Sequence, residues 1–496
     1  MTIKNQIVRL HRWFGLIMCV FFAAWFLSGF VMMYVDFPQY SKKHRLAHLA
    51  RLSLGASKYI PARLSSSLSQ DTSWKRIRLN MLLNRPVLRL ENNEGELYSF
   101  YADNGSPVKM LSAAQASAIA VNYLSGGYSP VLLEKITELD QWIPRSAFLL
   151  HMPVYRIRMN DPAETVTYIS SKSGEILQVH TFSQRILAWC GPIIHWIYPK
   201  ELILRRPLWR FVVILFSSLG IFASIAGIVV GFIRVKKKKR SYTSPYRERW
   251  FRWHHYTGFI FGLFTFTWVF SGLLTMSPFD WSPEVDITAR ENRLLQGGNL
   301  MVRSFTKLPG QAFSALNEGF LPVEIELKRF QGKSYYIAYN SKGQTQITLA
   351  ELSGLKGGRA VAPFPYFSQG LMMRAIQLVH PDGIPSKVNL IHQEDHYYYS
   401  KHNDNVLPVL RVQYNDAENT WYYADPSTGS ILLKNTSSAR MSRWLYHGLH
   451  SLDFFNLQHY RPVWDVLMII LLTGGTAVSL TGLLLALKYL RKKVKL

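Results

Sequence analysis

Four of the chain's 15 histidines stand at positions that recur within the sequence. His11 and His254 are 243 residues apart, and each opens a His-x-x-x-Gly run ending at Gly15 and Gly258. His195 and His450 are 255 residues apart, and each lies 12 residues before a proline, Pro207 and Pro462. Imidazole is the commonest side-chain metal ligand near neutral pH. Two imidazoles on opposite faces of one haem iron leave no open coordination position, which suits electron transfer. The pattern predicts that His11 with His254 ligate one haem and His195 with His450 a second. No C-x-x-C-H attachment motif occurs, so these would be b-type haems. His11 and Gly15, like His254 and Gly258, share one helical face, and a glycine one turn from a ligand lets a flat macrocycle approach the backbone. Gly29 and Gly272 follow the same histidines by 18 residues, about 27 Å along a helix. They could floor the second macrocycle, or the Ser28-Gly29 and Ser271-Gly272 pairs could simply let helices pack closely.

Other residues could take part. His255 and His447 adjoin the recurring positions, but Arg12 and Pro192 stand at their counterparts; they could meet haem propionates or be interfacial polar groups. His392, Glu394, Asp395 and His396 are clustered as in a metal site or a solvated loop. Arg210 and Asp465 recur just inside two apolar stretches, where charges are costly and usually paired, with each other or with propionates. Phe364–Phe367 and Tyr397–Tyr399 could cradle a ligand or pack a core. G-x-G-x-x-G, P-loop, HExxH and G-x-S-x-G motifs are absent, so nucleotide hydrolysis, zinc proteolysis and serine hydrolysis have no support.

The elements that must position these residues are apolar. The chain is 48% hydrophobic and only 18% charged. Trp13–Val35, Leu208–Ile233, Phe259–Met276 and Val463–Leu487 are long enough to cross about 30 Å of hydrocarbon, which excludes a soluble globular enzyme. The net charge of +26 is concentrated beside these stretches. Lys4, Arg9 and Arg12 precede the first, a basic run from Arg234 to Arg252 joins the second to the third, and Lys488, Arg491, Lys492, Lys493 and Lys495 follow the fourth. By the positive-inside rule these flanks face the cytoplasm. They serve as topology signals and lipid contacts rather than nucleic-acid contacts. The expected order is a cytoplasmic N-terminus and first span (1–35), a first outer domain (36–206), the second span (207–233), a basic loop (234–255), the third span (256–276), a second outer domain (277–461), the fourth span (462–487) and a basic tail (488–496). The first span reads as an uncleaved anchor, and Cys19 and Cys190 are too far apart in this order to pair.

The halves repeat each other. At an offset of 255, Pro153–Asp161 aligns with Pro408–Asp416, and Gly174, Trp189 and Gly227 align with Gly429, Trp444 and Gly482. Ser112–Leu124 reads as a helix, and Val154–Arg158, Thr165–Ser170 and Glu175–Val179 as strands. The second half repeats this pattern through Val409–Tyr414 and Thr420–Ala424. The L-H-R-W-x-G opening at Leu10–Gly15 and the Y-x-x-x-x-(S/T)-G-x-I-L hairpins at Tyr168–Leu177 and Tyr423–Leu432 resemble PepSY-associated transmembrane proteins, over essentially the whole chain. The resemblance implies an internally duplicated integral membrane protein, with a four-transmembrane-helix bundle and two periplasmic α+β PepSY-like domains in a bacterial inner membrane. It also implies a link to iron uptake, since better understood members resemble di-haem ferric-siderophore reductases. Electrons would come from a separate cytoplasmic reductase or from quinol, because the inner face has no folded domain for NAD(P)H. Two rivals are a haem-free PepSY regulatory or binding protein and a transporter, though no discontinuous helix marks a substrate path.

Overall fold

The computed structural model describes residues 2–54, 72–238, 241–278, 285–351, 362–401, 405–454 and 457–494. Lys239 and Arg240 of the basic run lie outside them. The chain forms a helical unit, Met1–Phe37 with Ser183–Glu284 and Ser438–Leu496, and a β-rich unit, Pro38–Phe182 with Val285–Ser437.

Four helices of the first unit are long and apolar enough to cross a membrane: Ile3–Met32, Arg206–Arg234, Arg249–Leu274 and Val463–Val494. The second and fourth run to or beyond both ends of their apolar stretches, because flanking Arg, Lys and Trp residues are compatible with helix; the first and third begin earlier than theirs but stop at Met32 and Leu274, short of Val35 and Met276. The first span packs against the second and fourth, and so does the third. The first and third are therefore diagonal to one another. Phe22, Phe26, Trp268, Met468 and Leu472 fill the space between the helices. Consecutive glycines make close packing possible: a Cβ on Gly474 would strike the Phe261 ring, and one on Gly475 the Phe26 ring at 2.5 Å.

The β-rich unit contains two four-stranded antiparallel sheets of the same order. One is Pro130–Ile136, Val154–Met159, Val166–Ser170 and Ile176–His180; the other is Pro385–Ile391, Val409–Tyr414, Trp421–Asp425 and Ser430–Asn435. A helix covers each. Ala113–Leu124 starts at a capping box between Ser112 and Gln115 and lays Ala116 and Ala120 on Tyr155, Ile157 and Ile169. Gln369–Val379, capped by Ser368, lays Met372 and Ile376 on Leu410, Val412 and Tyr422. The matched hairpins turn at Gly174 and Gly429, with φ of +67° and +68°, a region where side chains are strained.

A Tyr–Asp–Arg contact recurs in both sheets. Tyr168 donates to Asp140 at 2.7 Å, with Arg156 at 3.4 Å from the same carboxylate. Tyr423 donates to Asp395 at 3.0 Å, with Arg411 at 2.6 Å. Asp395 is thus committed to holding its sheet, and Glu394 accepts from the Ser400 amide and hydroxyl. The 392–396 cluster is accordingly a braced loop. Among the described residues no group of three or more His, Cys, Asp or Glu side chains is placed to hold a metal ion. One ring of each aromatic segment packs into the core: Phe367 lies against Phe330 and Tyr335, and Tyr398 stacks on Tyr423 at 5.2 Å, while Tyr366 is exposed.

A third, six-stranded sheet was not foreseen from the sequence. Trp74–Leu82, Arg85–Asn92 and Leu97–Tyr101 from the first half meet Pro322–Phe330, Lys333–Asn340 and Thr345–Leu349 from the second. The join is the antiparallel pairing of Trp74–Leu82 with Pro322–Phe330, with Ile77 opposite Leu327. Buried charges sit on it. Arg45 makes a two-pronged pair with Glu324 at 2.5 and 2.7 Å, and Arg78 reaches Glu175 at 2.9 Å and Glu324 at 3.5 Å. Burial alone would raise both carboxyls. For Glu324 the bonded Arg45 guanidinium, and for Glu175 the charges of Arg78 and Arg89, outweigh it and hold each below the ordinary carboxylate range.

Candidate functional site

Within the helical unit the four recurring histidines form two facing pairs. His11 of the first span and His254 of the third face each other across the bundle diagonal, with ring centres 6.1 Å apart and ring planes 27° from parallel. His195 and His450, from the segments that lead into the second and fourth spans, have ring centres 5.9 Å apart and planes at 84°.

Each ring is held through Nδ1. His11 donates to the Ala223 carbonyl at 3.1 Å. At the matching position His254 donates to the Val478 carbonyl at 3.2 Å, with the Thr481 hydroxyl oxygen at 3.1 Å; Ala226 stands where Thr481 does. The other pair uses serines, with the Trp268 carbonyl also 3.2 Å from His450 Nδ1. Ser28 donates its hydroxyl hydrogen to the Trp25 carbonyl, so its oxygen accepts from His195 Nδ1 at 3.0 Å. Ser271 does the same between Trp268 and His450, again at 3.0 Å. In all four rings Nδ1 is occupied within its own half of the chain, and Nε2 is the nitrogen left for a ligand. Metal-binding imidazoles show this habit, because the second nitrogen's hydrogen bond fixes tautomer and ring orientation.

Local structure explains how two distant segments deliver His195 and His450. Each follows a wide π-type turn, Trp189–Ile193 and Trp444–Gly448, a feature common at functional sites. Two residues beyond each histidine the chain adopts a left-handed conformation, at Ile197 with φ +51° and Leu452 with φ +52°. Bulky residues seldom tolerate it. An indole closes each turn: Trp209 donates to the Trp196 carbonyl at 2.9 Å and Trp464 to the Ser451 carbonyl at 2.7 Å. Arg443 pins the second segment through Asp453 at 2.8 Å.

His195 and His450 open onto a cavity of about 480 Å³ whose wall includes Gly29, Gly272, Trp268 and Arg206. This is the volume range of small-molecule and cofactor sites. The Trp268 indole nitrogen, buried in that wall, has no hydrogen-bond partner. A Cβ on Gly272 would come within 3.8 Å of the His450 ring, and one on Gly29 would press on Leu472 at 2.9 Å. Gly15 and Gly258 border open space, with nothing within 4 Å of an added Cβ. Gly227 and Gly482 lie against the His11 and His254 rings instead.

Two residues differ from the sequence expectation. Arg210 donates to the Met276 and Ser277 carbonyls at 3.0 and 2.6 Å, serving the exposed acceptors at the end of the third span. Asp465 is held by Arg461 at 2.5 Å and by the Tyr34 hydroxyl at 2.8 Å. The two are therefore not paired with one another. His255 is buried and donates from Nε2 to the Gly231 carbonyl at 3.1 Å. Cys19 and Cys190 are both free thiols. Sequence reasoning missed Ser28 and Ser271 as partners of the histidines. Their recurrence was visible, and so was the recurrence of Trp209 and Trp464, but not what they touch.

The donor set is selective. A metal held trans between two imidazole nitrogens at about 2.0–2.1 Å each places the ring centres about 6.3 Å apart, near both spacings seen here. Two imidazoles by themselves leave most metal ions short of the four to six ligands they take. A planar macrocycle that brings four nitrogens of its own would complete the coordination, and the residues present fit such a group.

Four membrane-spanning helices joined to antiparallel α+β modules define a multi-pass membrane protein. The sequence profile of the PepSY-associated TM region family matches residues 8–488, and the chain belongs to that family. No curated protein is similar enough to match it.

Proposed function

We propose that this protein is a b-type haem electron-transfer protein of the bacterial inner membrane that reduces a ferric chelate, such as a ferric siderophore, on the periplasmic side. The observation that carries the reading is the pair of facing imidazole couples, 6.1 and 5.9 Å between ring centres, each ring tied at Nδ1 and open at Nε2. A haem bound there supplies reversible one-electron chemistry between Fe(III) and Fe(II). The chain's part is to hold four neutral imidazoles in place, to exclude water with Phe22, Phe26, Trp268 and Met468, and to keep the two centres apart. His11 and Ser28 are 17 residues apart on one helix, about 25 Å at 1.5 Å per residue.

The basic flanks supply the direction. With both termini and the Arg234–Arg252 run cytoplasmic, the His11–His254 couple lies on the electron-donor side and the His195–His450 couple towards the periplasm. The two sheet-bearing segments are then periplasmic and derive from an internal duplication. A cytoplasmic reductase or quinol gives the electron, and the chelated Fe(III) receives it. Reduction weakens a chelate built from hard oxygen donors, which releases the iron. Arg206 in the cavity wall is suited to neutralise a propionate.

Purified in detergent, the protein is expected to be red, with a Soret band, a sharp reduced α-band and two haems per chain by pyridine haemochrome. Alanine at His11 or His254 removes one haem, and alanine at His195 or His450 the other. A colourless protein from haem-replete cells would sink this reading and favour a haem-free regulatory or uptake-accessory role.

A further inference from the structure

We infer that Ser28 and Ser271 are positioning residues that lock the His195 and His450 rings at right angles, making that centre electronically different from the near-parallel His11–His254 centre. The inference rests on the haem reading above and deepens it.

The argument is one of orbital overlap. An imidazole's π orbital stands normal to its ring and mixes with whichever iron d orbital lies in that direction. Two parallel rings mix with the same d orbital and split the pair of d orbitals, which gives a rhombic low-spin ferric spectrum. Two crossed rings mix with one each and leave the pair nearly degenerate, which gives a strongly anisotropic spectrum with a single feature at low field. The angles of 27° and 84° fall on opposite sides of this divide.

What sets the angle is visible in the hydrogen bonds. A ring tied only by its bond to the protein backbone and to iron can turn about the iron–nitrogen axis; a fixed acceptor at Nδ1 stops that rotation. Ser28 and Ser271 are buried, each has its hydroxyl hydrogen committed to the carbonyl three residues earlier, and each therefore presents its oxygen in one direction only. The spans carrying the two serines are diagonal in the bundle, so the acceptors approach the couple from different helices. The Trp268 carbonyl, 3.2 Å from His450 Nδ1, lies beside the Ser271 oxygen and supports the same orientation. The other couple has no serine: His11 is tied to the Ala223 carbonyl and His254 to the Val478 carbonyl and the Thr481 hydroxyl, and its planes end close to parallel.

Electron paramagnetic resonance of the oxidised, haem-loaded protein tests this. Two ferric low-spin signals are expected, one rhombic and one strongly anisotropic; His11→Ala should remove the first and His195→Ala the second. Ser28→Ala with Ser271→Ala should keep two haems per chain and move the anisotropic signal towards rhombic, while the rhombic signal of the other centre stays put. Ser28→Thr, which keeps the hydroxyl, should preserve the wild-type spectrum. Two rhombic signals in the wild type, or an anisotropic signal unmoved in the double alanine variant, would overturn the inference and leave the haem reading standing. Should the double variant shed haem, the wild-type spectrum and the threonine variant still decide. A protein without haem overturns both.

Discussion

A methyl group added at Gly227 would lie 2.7 Å from Cε1 of His11, whereas the same addition at Gly482 would find Cε1 of His254 at 3.3 Å. The first distance forces the imidazole to move; the second asks for a few tenths of an ångström. Helix propensity works the other way, since alanine is favoured over glycine by about 1 kcal/mol in a helix interior. Gly227→Ala should therefore leave the helices intact yet broaden or shift the reduced α-band of one haem and weaken its retention. Gly482→Ala should do so far less. Low-temperature spectra with haemochrome stoichiometry would show it, and equal effects at the two positions would contradict the geometry. At this scale the sequence singled out the four imidazoles and was silent about what orients them. The four histidines and six neighbouring glycines stood out because they recur. Ser28 and Ser271 recur as well, but their partners are 167 and 179 residues away, and no local pattern specifies a contact of that range. The Ala223 and Val478 acceptors are carbonyls, which every residue possesses, so no sequence signal could have singled them out.

Among the elements, the sheet joining the two halves depends on charges that have left water. Glu324 is 1% exposed and accepts from Arg45 and Asn80 while lying beside Arg78. Replacing one partner of such a group strands the others, at a cost of about 3–5 kcal/mol. Glu324→Gln should lower the unfolding midpoint of the β-rich unit markedly, while replacing the exposed Lys75–Glu91 pair should cost under about 1 kcal/mol. The pH dependence follows from the depressed carboxyls. Their contribution is fully present above the unfolded carboxyl range, about 4.3 for glutamate, and is lost as pH falls through the lower folded values of Glu175 and Glu324. Calorimetry in acid should register this loss in the wild type and a smaller one in Glu324→Gln. The helix after Ser112 and the hairpins at Gly174 and Gly429 could be read in advance because capping and turn residues mark them locally. The hairpin between Trp74–Leu82 and Arg85–Asn92 could not. Its turn places Leu83 and Asn84 at φ of +47° and +67°, and leucine is not among the residues that announce such a turn.

The whole molecule should act as a one-way conductor. In proteoliposomes with donor on the side of the basic flanks and a ferric siderophore on the other, the wild type should reduce the chelate without the two reagents meeting. His195→Ala or His450→Ala should leave the remaining haem reducible but halt its reoxidation by the chelate. His11→Ala or His254→Ala should block entry of electrons, although dithionite added from the siderophore side still bleaches the surviving haem. Stopped-flow spectroscopy separates these cases, and undiminished reoxidation in the His195 and His450 variants would contradict a two-centre relay. The four apolar stretches and their basic flanks were legible from composition alone, because hydrocarbon thickness imposes length directly. That both halves share one sheet was not, since alternation along a strand identifies a buried face and not the strand that will pair with it. That shared sheet also sets a timetable. Pro322, the first residue of the pairing strand, is 240 positions after Leu82. At about 5–20 residues per second, the edge of Trp74–Leu82 waits roughly 12–50 s on the nascent chain while two further membrane helices are being made. An unpaired edge is an invitation to aggregate. The cell must therefore shelter that strand, or delay its hairpin, until the ribosome has delivered the second half.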